Sequence, residues 1–233
     1  MKIEVYALTN NEERIMPYFM RHYIQFAHVI LLENNSTDRT VEIAQSMGAE
    51  IWRYDVPDEI NDAWYLEVKN NCWKNSKADW VIICDADEFI YHSHIVEYLE
   101  KTDATIFLPG LWNMFSEKFP TTAGQIYEEV TGGRPGGPKM NLFRPSEIKE
   151  INYDAGCHMA HPTGNVHLNA NSEIMTFHMR HLSKEYVNER NARNFARLSE
   201  VNKKNNWGYH FGSSSEEVSQ FMDNEMTVLI KVI

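Results

Sequence analysis

The chain is short of cysteine, of positive charge and of long apolar runs, and each shortage removes a class of protein. Cys72, Cys84 and Cys157 are odd in number, far apart and without a CxxC pair. That excludes a disulfide scaffold and a zinc knuckle, and leaves reduced core thiols in a protein expected in the cytoplasm. Lys and Arg number 22 against 33 acidic residues, a formal charge of −11. Long-range steering then repels a nucleic-acid backbone, so DNA or RNA is not the expected partner. An anionic small ligand requires a metal ion or a local basic cluster that inverts the field. No run approaches the roughly 20 apolar residues of a membrane span. The opening MKIEVYALTNNEE turns polar after one short strand, so neither an integral membrane segment nor a secretory signal is expected.

What is present is enough apolar material, 43% of 233 residues, for one α/β domain with a real core. Lys2 to Leu8 alternates as a strand, and Ile15, Tyr18, Phe19, His22 and Tyr23 recur at helical spacing with Pro17 in the first turn. HVILLE, residues 28 to 33, suits a strand covered on both faces. NNSTDRT feeds a helix that Gly48 stops, and AEIWRY is a third strand. A helix over 62–77 and a strand from Trp80 to Cys84 complete a βαβ rhythm, hence an open, mostly parallel sheet flanked by helices. From 110 to 172 the pattern breaks up around GGRPGGP, read as a loop, with a short strand at 139–144. Helices are expected from Ser183 to Lys204 and over 216–225. The chain divides into residues 1–109 and an acceptor-side half, 110–233, within one compact domain.

The most unusual stretch is WVIICDADEFIY, residues 80 to 91, which puts Asp85, Asp87 and Glu88 where a buried strand ends. In an open α/β sheet, ligands bind beyond the carboxyl ends of the strands. Two carboxylates two residues apart share a face and repel each other unless a divalent cation lies beside them, and Mg²⁺ or Mn²⁺ suits such oxygen ligands. The plainer alternative is a polar turn with Asp87 as a helix cap.

Strand one with its polar loop, VILLENNSTDRT and KADWVIICDADEF together resemble the amino-terminal half of family 2-like glycosyltransferases of the GT-A fold, in the branch marked by a D-x-D-E-F segment. The resemblance covers residues 3 to about 92 and implies a nucleoside-diphosphate sugar as donor and a carbohydrate or glycoconjugate acceptor. It implies that Thr9, Asn11 and Glu12 line the base pocket, that Asn34, Asn35 and Asp38 face base or ribose, and that Asp55 and Lys69 approach the nucleotide. Asp85 and Asp87 would hold Mn²⁺ or Mg²⁺ on the diphosphate. Glu33, Asn34 and Asn35 replace the D-D-G of the usual D-D-G-S-T-D-G-T, which implies either a looser base contact or an unusual donor nucleotide. The same branch implies metal-ligand roles for His158 in GCH and His178 in FHMRHLS, with Lys139, Arg144 and Arg180 as basic residues near the site.

Arg190, Arg193 and Arg197 fall on one helical face, either to hold a leaving diphosphate or as a solvated stripe paired with acids. Inverting transfer needs a carboxylate to deprotonate the acceptor, and Asp154, four residues before His158, is the candidate. Trp112, Phe115 and Trp207 could stack on an acceptor sugar or belong to the core. A nucleotidyltransferase would share the sheet and the acidic site, but TNNEER lacks the glycines of its phosphate loop. A non-catalytic carbohydrate- or nucleotide-binding module is the other alternative.

Overall fold

A computed structural model describes residues 1–54, 56–171 and 173–233. The elements run β1 (Ile3–Thr9), α1 (Met16–Tyr23), β2 (His28–Glu33), α2 (Thr40–Ser46), β3 (Glu50–Arg53), α3 (Asp62–Asn71), β4 (Trp80–Asp85), β5 (Glu88–Tyr91) and α4 (Ile95–Lys101). They continue through β6 (Ile106–Phe107), β7 (Gly110–Phe115), β8 (Gly132–Gly136), β9 (Leu142–Phe143), β10 (Ile148–Glu150), β11 (Thr163–Gly164), β12 (Leu168–Asn169) and β13 (Met175–His181). The chain closes with α5 (Lys184–Ala196), α6 (Glu200–Lys204), a 3-10 turn at Tyr209–Gly212, α7 (Ser215–Met226) and β14 (Ile230–Lys231).

β4, β1, β2 and β3 lie side by side and parallel, as the βαβ rhythm implies. Their alternation writes both faces of the sheet. Ile3, Val5, Ala7, Val29, Leu31, Trp80 and Ile82 face one core with Phe19, Met20 and Tyr23 of α1 and Ala44 of α2. Tyr6, Ile30, Leu32, Val81 and Ile83 face the other with Leu66 and Val68 of α3 and Trp73 beyond it. Each such side chain, once buried, contributes about 1.5–3 kcal/mol, which is why a strand covered on both sides reads as a continuous apolar run.

The sheet order is β12-β6-β9-β4-β1-β2-β3, and a second sheet runs β14-β8-β7-β13-β5. The two halves of the sequence are therefore interleaved. β9 and β12, from beyond residue 110, complete the first sheet, while β5, just after the acidic turn, belongs to the second.

Four local expectations are corrected. GGRPGGP is not a loop: residues 132–136 form β8, paired with β7 and β14. Packing against β7 is close here: a Cβ at Gly136 would stand 2.5 Å from Leu111 Cδ2 and 2.9 Å from Asn113 Nδ2, so those side chains would have to move. The helix expected over 183–204 is broken between Ala196 and Glu200. There the Ile60 N–H donates to the Arg197 carbonyl at 2.6 Å, the Ser199 N–H donates to the Ile60 carbonyl at 3.0 Å, and Ser199 caps α6. The helix over 62–77 ends at Asn71, and the strand expected at 139–144 is shortened to Leu142–Phe143, flanked by single backbone hydrogen bonds at Asn141 and Arg144. Among the described residues no helix is long and apolar enough to cross a membrane.

Candidate active site

β1, β2 and β4 end together at Thr9, Glu33 and Asp85, and a cavity of about 440 Å³ opens there. α3 and α5 flank it. Lys69 and Asp85 meet at its inner end, with Lys69 Nζ 2.7 Å from Asp85 Oδ1 and Lys139 Nζ 3.6 Å from Oδ2. Both lysines are almost wholly buried, at 5% and 4% exposed. Burial opposes ionisation of Asp85, but the two ammonium groups outweigh it and hold the carboxyl at about 2. The same balance raises Lys69 well above the usual lysine range, the negative charge of Asp85 overcoming the penalty of burial. Glu88 is fully buried, ion-paired with Lys139, and accepts the Asp85 N–H at 3.2 Å. It anchors the acidic turn from behind.

Asp87, 2% exposed, faces the opposite partners. Arg190 of α5 is in ionic contact with it, and His178 Nε2 of β13 lies 3.3 Å away. Burial again opposes the charged carboxyl, and Arg190 with His178 prevails, so Asp87 sits well below the ordinary carboxylate range. Arg190 also holds Glu12, through Nη2 at 3.0 Å and Nε at 3.1 Å, and Arg193 adds a contact to the same oxygen at 3.3 Å. Arg197 donates to Asn10 Oδ1 at 2.7 Å, Asn34 Oδ1 at 2.9 Å and Asp58 at 2.7 Å. Arg190 and Arg197 are thus turned toward the cavity, and Arg193 lines a smaller one beside it. Arg180, also on the cavity wall, has no carboxylate partner among the described residues; burial and the neighbouring Arg190 charge pull it down to about 10. An acidic chain has gathered its cations around one opening.

The expected residues divide accordingly. Thr9, Glu12, Asn34, Lys69, Asp85, Asp87, Lys139, His158, His178 and Arg180 all line this cavity. Asn11 and Asp38 line a smaller neighbouring one and tie the loops after β1 and β2 together: Asn11 Oδ1 accepts the Thr37 and Asp38 N–H groups, and Asp38 accepts those of Glu13 and Thr40. Asn35 points elsewhere, its amide donating to the Val56 carbonyl. Asp55 lies outside the described residues. Asp154 is not brought to the cavity; it is exposed and paired with His161 at 3.1 Å, on a turn whose next residues, Ala155 to His158, do reach the wall. Arg144 is structural, stacked over Trp80 at 4.3 Å and donating to the Ala104 and Thr102 carbonyls. Trp112 packs against the core and Phe115 against His181, while Trp207 lines the cavity.

Two carboxylates and an imidazole are the chemistry of a hard divalent-cation site. His178 Nδ1 lies 3.1 Å from Asn113 Oδ1, a contact that orients the ring so that Nε2 faces Asp87. By donor type Asp85, Asp87 and His178 fit. Among the described residues, however, no three acidic, histidine or cysteine groups converge on one point, and Lys69 and Arg190 already occupy the carboxylates. A cation entering here competes with resident side chains.

The sequence profile of glycosyl transferase family 2 matches residues 11–190. The chain belongs to that family. Within it, a similar protein is the 4,4'-diaponeurosporenoate glycosyltransferase of Staphylococcus haemolyticus, 27% identical over 118 residues, which are 48% of this chain and 31% of that protein. This family 2 chain therefore spans less than a third of that relative's length in the match. Among solved structures, S. aureus TarS in complex with UDP-GlcNAc is 12% identical, with 88% of this chain and 69% of that chain covered and a TM-score of 0.47. The glucosyl-3-phosphoglycerate synthase of Mycobacterium tuberculosis, in complex with Mn²⁺, UDP and glucosyl-3-phosphoglycerate, is 18% identical over 47% of this chain and 44% of that one, TM-score 0.36.

Sequence reasoning missed Asn10 and Asp62, which also line the cavity. Neither stands in a motif; only the fold brings them there. For Arg190 and Arg197 the spacing on one helical face was the available signal.

Proposed function

We propose that the chain moves a sugar from a nucleoside-diphosphate sugar to a hydroxyl of a carbohydrate or glycoconjugate, with Mn²⁺ or Mg²⁺ as cofactor. The observation that carries this reading is the ring of Lys69, Lys139, Arg180 and Arg190 around Asp85 and Asp87 in one cavity of a chain with net charge −11. Such a ring suits a diphosphate: Arg180, without a carboxylate partner among the described residues, can make a bidentate contact, and Lys69 and Lys139 supply buried charge in a low dielectric. A divalent ion, held by Asp85, Asp87 and His178, would neutralise charge on the departing diphosphate. Arg190, released from Asp87, stays tethered to Glu12 and within reach of the same phosphates. Electrostatic stabilisation of the leaving group is the main demand of this reaction, and these side chains meet it without large rearrangement.

We read the transfer as inverting, the acceptor proton passing to a carboxylate. Asp154, held outside by His161, reaches that role only if its turn moves inward. The same placement of Asp154 favours, as a second reading, a binding module of the same fold without turnover.

The test is hydrolysis and transfer with UDP- and GDP-sugars in Mn²⁺, with product stereochemistry read by NMR. Wild type should release nucleoside diphosphate, and Asp87→Ala should lose on the order of 100-fold or more. Failure of UDP, GDP and CDP to raise the melting temperature, with or without Mn²⁺, would remove the nucleotide-sugar reading. Binding without release under any condition would leave the module.

A further inference from the structure

Among the described residues, four carboxylates line the main cavity: Glu12, Asp62, Asp85 and Asp87. Three have basic partners within ion-pair distance, Arg190 and Arg193 for Glu12, Lys69 and Lys139 for Asp85, Arg190 and His178 for Asp87. Asp62 alone has none among the described residues.

It is nevertheless held in place. The Asp62 N–H donates to Asn202 Oδ1 at 2.9 Å, and Asn202 Nδ2 donates back to Asp62 Oδ2 at 3.2 Å. Asn202 is fully buried and its own backbone N–H donates to Ser199 Oγ at 3.1 Å, so the fork is rigid. One carboxylate oxygen, Oδ1, is left for something else. A half-buried carboxylate with no counter-ion has its pKa raised by burial, a desolvation cost that hydrogen-bond donors from a ligand would offset.

The two flanking helices say which part of a ligand that is. Along α3, Asp62 precedes Lys69 by two turns, about 10 Å of axial rise, and Lys69 is on Asp85. Along α5, Arg190 precedes Arg197 by the same interval; Arg190 is on Asp87, and Arg197 is on Asn10 and Asn34. The ends are joined in matching order, because Ile60, two residues before Asp62, exchanges backbone hydrogen bonds with Arg197 and Ser199. The cavity therefore has a cation-rich end that suits phosphates and, about 10 Å away, an end of amides where Arg197 is already paired with Asp58 and where Asp62 is the one carboxylate without a basic partner among the described residues. A carboxylate accepts from hydroxyls and repels phosphate.

We propose that Asp62 is a specificity-determining residue that binds a vicinal hydroxyl pair of the ligand, the nucleoside ribose being the source that the position favours. This rests on the nucleotide-sugar reading above. A carboxylate accepting from two adjacent hydroxyls makes charge-assisted hydrogen bonds, so removal of the diol should cost about tenfold or more in affinity.

Isothermal titration of wild type and Asp62→Ala, with UDP, GDP, their 2′,3′-dideoxy forms and UDP-glucose, tests it. Wild type should bind the ribonucleotide about tenfold or more tighter than its dideoxy form, and Asp62→Ala should bind both alike, at the weaker level. If instead the ribose makes no difference, but wild type prefers UDP-glucose over UDP and Asp62→Ala loses that preference, the diol is the transferred sugar's and the proposal stands with its other source. No discrimination of either kind by wild type, or full discrimination retained by Asp62→Ala, overturns it. Should Asp62→Ala not fold, the isosteric Asp62→Asn takes its place, with the same loss of discrimination expected and retained discrimination overturning the proposal. Binding of no nucleotide in any form instead strikes the functional reading on which this one depends.

Discussion

Arg190 bridges Asp87 and Glu12, gripping the first through Nη1 and the second through Nε and Nη2. One guanidinium from the second half of the chain thereby joins the loop after β1 to the acidic turn after β4. With Asp87 2% and Glu12 7% exposed, both acids depend on it. Arg190→Gln should lower the unfolding free energy by about 3–5 kcal/mol, the usual result of leaving buried charge without its partner. Asp87→Asn added to it should recover part of the loss, a coupling that urea denaturation of the double-mutant cycle measures. A loss below about 1 kcal/mol would mean that the bridge is not formed in solution.

The two expected histidine ligands are not equivalent. His178 faces Asp87 at 3.3 Å and is oriented by Asn113, whereas His158 shares the cavity wall without touching either carboxylate. Mn²⁺ affinity, followed through the free-ion EPR signal, should fall on the order of tenfold or more in His178→Ala. It should change by less than about threefold in His158→Ala, in keeping with a residue outside the immediate ligand shell. Arg190→Gln, which frees Asp87, should bind Mn²⁺ more tightly than wild type in the absence of nucleotide. Equal losses at the two histidines would contradict the assignment.

The parallel sheet was legible because β1, β2 and β4 are buried on both faces, so their apolar runs carry a signal that needs no tertiary information. Asp85 and Asp87 were legible for the converse reason: carboxylates at the end of such a run conflict with burial and demand a partner. What could not be read was the identity of that partner. Lys69 and Arg190 lie 16 and 103 positions from the acids they hold, and such pairs leave no periodicity. Asp154 misled because its neighbours do reach the cavity, but its own side chain turns to His161. β8 misled because glycines that usually mark a turn are here what lets β7 approach; Gly133 would place a Cβ 2.8 Å from Met114 Sδ.

The reading of the cysteines as inert core thiols makes its own prediction. Cys84 and Cys157 are buried, and Cys72, only partly covered, has its thiol pushed up to about 12 by burial. Thiolate is the reactive species, so native protein at pH 8 should react with a disulfide reagent only as fast as it unfolds. Urea should expose all three thiols together. Rapid labelling of one thiol in folded protein would show a local opening around it.

Acid stability should fall in two separate windows. His22 is fully buried; its Nε2 lies 2.8 Å from the Ile90 carbonyl, which makes that nitrogen the donor, and burial lowers its pKa from 6.5 to about 4. The unfolded chain takes up a proton near pH 6.5 that the folded chain refuses until about pH 4. Stability that comes from keeping His22 neutral is therefore complete above about pH 6.5 and is lost as pH falls toward 4, a change of about 3 kcal/mol. Asp85 and Asp87 behave differently, because their folded pKa values are depressed and not crossed until lower pH. Their contribution persists down to the ordinary carboxylate range near pH 4 and disappears as pH falls toward 2. Urea midpoints taken from pH 7 to pH 3 should show the first loss well before Asp85 or Asp87 is protonated. His22→Gln, which retains a donor for Ile90, should flatten that first slope and leave the second unchanged. An unaltered slope between pH 6.5 and 4.5 in the variant would assign the loss to another group, such as His181, whose burial also lowers it well below the usual histidine range.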